Sequence, residues 1–245
     1  MSEKPASPVT AKAAPRKRSG RRPKGDQDVS REAMINCAIG IAQGESLAEV
    51  SMVRIGKELG VAAGMVHYHL GNRDELISAV INAAFKERLQ QLPPITGHWR
   101  QDIEAFAHSS LAILERWPGL ATYILTENKF RLFQRVQPGE IDYGLAYFDH
   151  IGRILEQAAL PQPFAAMAYH LLLLFISVIA AEKENHQAPQ AHGDFISGYL
   201  ARSAGDYPGA AFLGTHFVQV NSGNTFEAGL GLLLDGFETW RRPTA

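Results

Sequence analysis

The chain has one cysteine in 245 residues, Cys37, and this scarcity excludes an internal disulfide and a zinc site built from several cysteines. So little cysteine is typical of proteins that work in a reducing cytoplasm. Cys37 has the apolar neighbours Ile35, Ala38 and Ile39, which predict a small packed side chain rather than a redox centre.

Sequence motifs of common catalytic sites are missing as well. The chain contains no Gly-x-Ser-x-Gly nucleophile elbow, no His-Glu-x-x-His zinc motif and no Gly-x4-Gly-Lys phosphate loop. His67 and His69 are two residues apart, which points them to different faces of a helix, and no third ligand stands at helical spacing from them. We therefore expect no enzyme, no metal site and no cofactor.

Long apolar runs are scarce, and the main candidate for a membrane span is the stretch 165–181. It has 17 residues, includes His170 and Ser177, and falls short of the ~20 residues that a bilayer requires. Pro163 precedes it and the charged residues 182–184 follow it. This pattern favours a buried helix in a soluble bundle.

The net charge of −1 hides an uneven distribution of charge along the chain. Residues 1–29 hold eight basic and three acidic side chains, a net charge of +5, whereas residues 91–245 carry −5. The basic segment has no apolar run, which excludes a secretory signal, and its Pro, Ala, Ser and Lys content predicts a disordered arm. A basic end of this kind favours a polyanionic partner.

No alternating strand pattern and no internal repeat appears after Ser30, and apolar residues recur at helical spacing instead. We predict an all-α protein with a disordered basic arm at 1–29, a small helical module at 30–90 and a helical body at 91–245, divided by Pro93-Pro94. The later helices are expected near 99–116, 118–127, 139–159, 163–186, 193–203 and 225–242. The Gly-rich stretch 205–224 is expected to be irregular.

The module contains two unusually short helices. Ser51 is placed to cap the first, which Gly60 ends, and Gly71 ends the second. Asn72 and Glu75 then form a capping box for a longer helix. Two short helices joined by a tight turn predict a helix-turn-helix, in which the second helix enters the major groove of DNA.

Spacing predicts which side chains of this motif are buried. Ile55, Leu59, Val61, Val66 and Leu70 form a wedge that fixes the angle between the helices, and Gly56 lets the helices approach closely. Ala63, Gly64, His67 and Tyr68 are then expected on the open side, with Arg73 at the start of the next helix near a phosphate.

Residues 51–76, SMVRIGKELGVAAGMVHYHLGNRDEL, resemble the DNA-binding signature of the TetR family of transcriptional regulators. Residues 226–240, FEAGLGLLLDGFETW, are similar to the last helix of many members, which packs in a dimer interface. The resemblance implies an N-terminal helix-turn-helix DNA-binding domain and a C-terminal helical ligand-binding and dimerisation domain. Three positions depart from the pattern, because Ala62, His67 and Leu70 stand where the family usually has serine, tyrosine and an aromatic residue.

The candidate DNA-binding residues of the motif are Ser51, Arg54, Ala63, Gly64, Met65, His67, Tyr68, His69 and Arg73. Arg21 and Arg22 add a second candidate, because SGRRPKG, residues 19–25, resembles the Gly-Arg-Pro cores that bind A·T-rich minor grooves. The alternative for this arm is a solvated tail that contributes only nonspecific charge.

A ligand cavity is expected between the helices of the body, lined by aromatic and polar side chains. The candidates are His108, Trp117, Tyr123, Asn128, Phe133, Tyr143, Tyr147, His150, Met167 and His170. The acidic balance of the body favours a neutral or cationic effector.

Together with these patterns, the resemblance to the TetR family implies a cytoplasmic, ligand-responsive repressor that releases a palindromic double-stranded DNA operator on binding a small molecule. The apolar helices 163–186 and 225–242 need more cover than one body supplies, so we expect a homodimer through both and no membrane contact. Two alternatives stay open. One is a DNA-binding architectural protein that senses no ligand, and the other is a helical enzyme that carries a DNA tether.

Overall fold

The computed structural model describes residues 29–127, 133–202 and 206–241, and in these ranges it is helical without strands. The described α-helices, in chain order, are α1 Arg31–Gly44, α2 Met52–Leu59, α3 Ala63–Leu70, α4 Arg73–Gln91, α5 Trp99–Arg116, α6 Leu120–Thr126, α7 Tyr143–Gln157, α8 Gln162–Glu184, α9 Gly193–Ala201, α10 Pro208–Phe217 and α11 Ser222–Trp240. Short 3₁₀ turns lie at Leu47–Glu49 and Pro189–His192. The predicted all-α fold is confirmed.

Helices α1, α2 and α3 pack against one another, and α1 and α3 also contact α4. The Ser30 hydroxyl caps α1, as predicted, by accepting a hydrogen bond from the backbone N–H of Ala33. Met34, Ala38 and Val80 are fully buried where α1 meets α4. Since α4 also contacts α5 and α7, a single helix belongs to the packing of both halves of the chain.

Helix α8 lies at the centre of the body, in contact with α5, α6, α7 and α11. Its inward stripe consists of buried apolar residues: Ala168, Leu172, Ile176, Ile179 and Ala180. At 23 residues the helix is longer than the apolar run at 165–181, and by length and composition it is able to cross a membrane. The length argument against a membrane span therefore fails, and the contacts with four helices are what place α8 in a bundle.

The prediction of irregular structure at 205–224 was wrong. Residues Pro208–Phe217 form α10, which packs against α9 as a helical hairpin. Pro208 starts the helix because its missing N–H lies in the first turn, where no intrahelical partner exists. Gly214 is buried against the Leu200 side chain, so this glycine serves close packing rather than a turn.

The apolar face of α11 also differs from the prediction. Phe226, Leu230 and Phe237 are buried inside the chain and fill the core against α8 and α5. Leu233 is partly buried against the same core, whereas Leu232 is 74% exposed. Leu232 is therefore the large apolar side chain of α11 that is exposed, because tertiary packing covers the broader stripe.

Candidate nucleic-acid interface

The turn between α2 and α3 follows from capping signals. The Ser51 hydroxyl caps α2 by accepting a hydrogen bond of 3.1 Å from a backbone N–H. Gly60 ends α2 in the left-handed region with φ of 67°, and Gly71 ends α3 with φ of 75°. Asn72 and Glu75 form the capping box that starts α4. These four predictions are confirmed.

Gly56 sets the distance between the two short helices. A Cβ atom here would lie 2.8 Å from the Val61 carbonyl oxygen and 3.3 Å from the Ala63 nitrogen, both of them backbone atoms. The Val61 N–H donates to the Gly56 carbonyl at 2.9 Å and closes the turn. The prediction of a close approach at Gly56 is confirmed.

The predicted wedge lies between the helices. Ile55, Val66 and Leu70 are buried, and Leu59 and Val61 are partly buried against the same core. This packing determines which face of α3 remains open, because a helix of two turns depends on its neighbours for stability.

The open face of α3 carries the predicted side chains. Tyr68 is 85% exposed, and His67 and Gly64 are exposed as well. Ala63 and Met65 are half-buried at the edge of this face. The exposed tyrosine is a large apolar ring in water, which in a soluble protein marks a contact surface when it stands beside polar groups.

His67 has its two ring nitrogens in different surroundings. Nδ1 lies 3.1 Å from the Gly71 carbonyl oxygen. Because a carbonyl only accepts, Nδ1 carries a proton in this arrangement. Nε2 is left for a partner, and with the proton on Nδ1 it is able to accept a hydrogen bond.

His69 is half-buried, and its ring stands edge-on to Tyr68 with the centroids 5.2 Å apart. The contact restricts the rotamers of Tyr68. His69 thus orients the exposed tyrosine from behind the open face.

Arg54 is engaged in ion pairs within the module. Its guanidinium donates to both carboxylate oxygens of Glu45, at 2.6 and 3.1 Å, and to Glu58 at 2.7 Å. The hydrogen bonds that Arg54 donates to Glu45, and then the one that it donates to Glu58, raise the pKa of Arg54 further above its ordinary value. The structure therefore shows Arg54 joining the end of α1 to α2, with its charge matched by two carboxylates.

Arg73, the first residue of α4, is exposed one residue after the cap of that helix. Lys57 and Val53 are exposed one turn apart on α2, and Val53 is 71% exposed. Val53 and Lys57 were not predicted from the sequence as surface residues of this motif. Their spacing of four residues on the side of α2 opposite the buried Ile55 indicated an exposed face. Arg21, Arg22 and Asn128 lie outside the described residues.

A model of the family described as "Tetracyclin repressor-like, C-terminal domain" matches residues 93–241, which is more than half of the chain. The chain belongs to the TetR family of transcriptional regulators. Proteins of this family are regulators and not enzymes, which agrees with the missing catalytic motifs.

Among curated relatives, the HTH-type transcriptional repressor Rv1353c of Mycobacterium tuberculosis is 30% identical over 98 residues. This match covers 40% of the chain and 38% of the relative, so the chain matches well under half of that protein. This partial match to a transcriptional repressor is consistent with membership of the TetR family.

Two solved structures of the TetR fold are similar to the chain over most of its length. ActR of Streptomyces coelicolor in complex with actinorhodin has a TM-score of 0.71 at 24% identity, covering 86% of this chain and 97% of that one. BioQ with its double-stranded DNA operator has a TM-score of 0.57 at 16% identity, covering 85% and 98%. At these identities the likeness establishes the fold.

In the body of this TetR protein, the nine described candidates for ligand contact are dispersed. Trp117, Tyr123 and Tyr147 are buried. The Trp117 indole N–H donates to Glu87 at 2.9 Å, which is a structural contact within the protein. Phe133 and Met167 are about half exposed on the surface, and His170 is exposed on α8.

The other candidates are partly buried or bound to neighbours. His108 joins α5 to α11 through a contact of 3.0 Å with Glu227. Burial lowers its pKa, but hydrogen bonds to the Glu104 carbonyl and to Glu227 outweigh burial and raise it. His150 is half-buried, and burial, helped by Arg153, lowers its pKa and keeps it neutral. Tyr143 lies beneath Lys86, whose ammonium is 5.8 Å from the ring centroid.

Tyr147 belongs to a buried polar network, and sequence reasoning missed its partners. Its hydroxyl bonds to Arg88 of α4 at 2.7 Å and to Ser110 of α5 at 2.6 Å. Arg88 was detectable, because it continues the apolar stripe of Ile77, Ile81 and Phe85 at helical spacing. A charged residue on the buried stripe of a helix marks either a structural ion pair or a functional site.

Proposed function

We propose that the protein is a homodimeric repressor that binds a palindromic double-stranded DNA operator and releases it when a small molecule binds in the helical body. The observation that carries this proposal is the open face of α3, where His67 and Tyr68 project from a two-turn helix held at a fixed angle. The family relationship supports a regulatory role. The operator complex of BioQ and the actinorhodin complex of ActR support the two classes of ligand.

In the proposed docking, α3 lies in the major groove. His67 Nε2 meets a base edge, and the small residues Ala63 and Gly64 bring the helix close to it. Ala62 makes no side-chain cap at the start of α3, so the first backbone N–H groups of the helix stay available to a phosphate. Tyr68 and Arg73 then contact phosphates on either side.

This docking predicts different results for three substitutions. Tyr68→Ala and Arg73→Ala are expected to weaken every operator alike, by about 1–2 kcal/mol each, because phosphates carry no sequence information. His67→Ala is expected to change which sequences are preferred, at a cost of about 1–3 kcal/mol on the original operator. The measurement is binding of each variant to a randomised duplex library.

Arg153→Ala provides the control for lost positive charge, because Arg153 is exposed on α7 and pairs with Asp149 of its own helix. It is expected to leave operator binding unchanged. Wild-type affinity in all three α3 and α4 variants would rule out the docking and with it the proposed function.

The homodimer is supported by an apolar stripe on the outer face of α8. Phe164, Met167, Leu171, Leu174 and Val178 alternate at spacings of three and four, which places them on one straight seam. Four of the five side chains are between 44% and 49% exposed. Such a seam suits a second copy of the same helix related by a two-fold axis.

Leu232 of α11 and the α9–α10 hairpin are proposed to extend this interface. Phe195, Tyr199, Phe212 and Leu213 of the hairpin are between 61% and 83% exposed. The chain enters the hairpin from α8 and leaves it into α11, so its base is continuous with both dimerisation helices. The pair of helices exposes more apolar surface than a monomer in water tolerates.

Helix α4 provides the proposed coupling between the body and the DNA module at 30–90. Its first residue follows the turn after α3, and its last turns enter the body at 91–245. The Asn82 side chain donates to the Ile141 carbonyl and accepts from the Tyr143 N–H, both at 2.9 Å, and so joins α4 to the start of α7. Arg31 of α1 pairs with Glu140 at 2.8 Å across the same junction. Movement of α4 therefore changes the separation of the two α3 helices in a dimer.

We propose that the protein acts in the cytoplasm. The arm at 1–29 is proposed to place Arg21 and Arg22 in the minor groove beside each half-site. Deleting residues 1–25 is then expected to reduce affinity most for operators with A·T-rich flanks. It also lowers the salt dependence by about 2 to 4 charges per subunit. The measurement is the affinity ratio for A·T-flanked and G·C-flanked operators at matched salt. An unchanged ratio would show that the arm contributes only nonspecific charge.

A further inference from the structure

The body contains a buried arginine with an unusual environment. Arg88 is 5% exposed, near the end of α4. Its Nη2 donates to the Tyr147 hydroxyl at 2.7 Å. The guanidinium lies over the rings of Tyr147 and Phe85, 4.3 and 5.2 Å from their centroids. Its described contacts are thus a neutral hydroxyl and two aromatic faces.

Arg88 has no carboxylate within 4.0 Å in the part of the chain that the structure describes, and its Nε is buried without a hydrogen-bond partner. Two arginines with more exposed side chains are paired with carboxylates: Arg100 contacts Asp235 at 2.7 Å, and Arg116 contacts Glu87 at 2.6 Å. Burying a charge without a counter-ion is costly, and contacts with ring faces compensate only part of that cost. The surroundings of Arg88 therefore favour an added anion.

A second polar group without a partner lies nearby on α8. The Tyr169 hydroxyl oxygen is buried and has no hydrogen-bond partner. Burial, followed by the effect of Tyr147, raises the pKa of Tyr169, and the positive charge of Arg88 is close enough to act against this rise. Tyr169 thus stays protonated at neutral pH and is a hydrogen-bond donor.

Tyr169 also lines a small apolar cleft between α7 and α8. The cleft has a volume of about 220 Å³ and is lined by Phe148, Gly152, Leu155, Ala165, Ala166 and Tyr169. The Phe148 ring stands edge-on to Tyr169 with the centroids 4.8 Å apart. An apolar cleft beside a few convergent polar groups is the usual form of a small-molecule site.

We infer that the effector is an organic anion, a flat apolar molecule with a carboxylate group that pairs with Arg88 and accepts a hydrogen bond from Tyr169. This inference rests on the proposed function and names the ligand class for it. A carboxylate matches the fork of donors on a guanidinium. The net negative charge of the body predicted a neutral or cationic effector, but the charge that acts on Tyr169 in the cleft is the positive charge of Arg88. The local charge is what a buried ligand meets.

Two probes that differ only in charge test the inference, namely 2-naphthoate and its neutral amide, 2-naphthamide. We expect the full-length protein to bind the carboxylate at least about tenfold more tightly than the amide, since a charge-assisted pair is the difference between them. Arg88→Met, which is of similar length and uncharged, should abolish this preference. Tyr169→Phe should reduce carboxylate affinity about three- to tenfold without changing the thermal midpoint of the free protein, because its hydroxyl has no bond to lose.

Arg153→Met on the surface of α7 is the matched control and should keep the preference for the carboxylate. Equal binding of the two probes, no binding of the carboxylate up to millimolar concentration, or a preference that survives Arg88→Met would each overturn the inference. Operator binding measured without any probe separates the two proposals. A protein that selects an operator but has no carboxylate preference keeps its proposed function and loses only the anionic ligand class.

Discussion

Leu174→Glu is expected to give a folded monomer that no longer binds its operator. Leu174 lies in the centre of the α8 seam and is 45% exposed in the single chain, so the fold of one subunit tolerates a charge there. A dimer would bury that charge together with its two-fold copy, without a partner for either. Because two linked half-sites increase affinity about 10²- to 10⁴-fold over one, operator binding falls by at least about a hundredfold.

Sedimentation equilibrium at micromolar concentration and operator titration measure the two effects. Leu145→Glu is the matched control, since Leu145 is 53% exposed on α7 and lies outside the seam. It should remain a dimer and bind DNA. A folded dimer in the Leu174 variant would exclude α8 from the interface. Leu233→Glu is a poorer test, because partial burial of Leu233 against the core makes loss of folding the expected result.

Gly56→Ala is expected to weaken operator binding while leaving the dimer intact. The added methyl meets the Val61 carbonyl oxygen at 2.8 Å, and backbone of a tight turn cannot yield as a side-chain tip does. Helix α3 must move, at a cost of about 1–3 kcal/mol. If the operator-bound state bears this cost, operator affinity falls about five- to 150-fold, since 1.4 kcal/mol corresponds to a tenfold change.

Gly40→Ala is the matched control for the same chemical change. Gly40 is exposed in α1, and an added Cβ there has nothing within 4 Å. This substitution should stabilise the protein by about 0.5–1 kcal/mol through helix propensity and leave DNA binding unchanged. Thermal unfolding, sedimentation and operator titration distinguish the two variants. Wild-type affinity in Gly56→Ala would show that the angle of α3 does not depend on this contact.

The local course of the chain was predictable because its signals act within a few residues. Ser51, Gly60 and Gly71 state where short helices begin and end, and the capping box of Asn72 and Glu75 starts α4. Helix α5 coincides with the predicted 99–116. Helix α10 was not predicted because the glycines in its sequence suggested turns. Gly214 instead packs against the neighbouring helix α9, and this tertiary contact has no local sequence signal.

The sequence by itself determined the helix-turn-helix and its open face, since a 3.6-residue period and a glycine at each break define both. Tertiary structure alone decided which charges are free and which apolar faces are covered. Arg54 was a candidate for DNA and is held by two carboxylates, one of them from another helix. The broad stripe of α11 lies in the core, and Leu232 faces outward. In the sequence, Arg88 is one residue in an apolar stripe. It became a candidate anion site only when the packing of α4, α5, α7 and α8 placed Ser110, Tyr147 and Tyr169 near it. Contacts between distant segments of this kind have no local sequence signal.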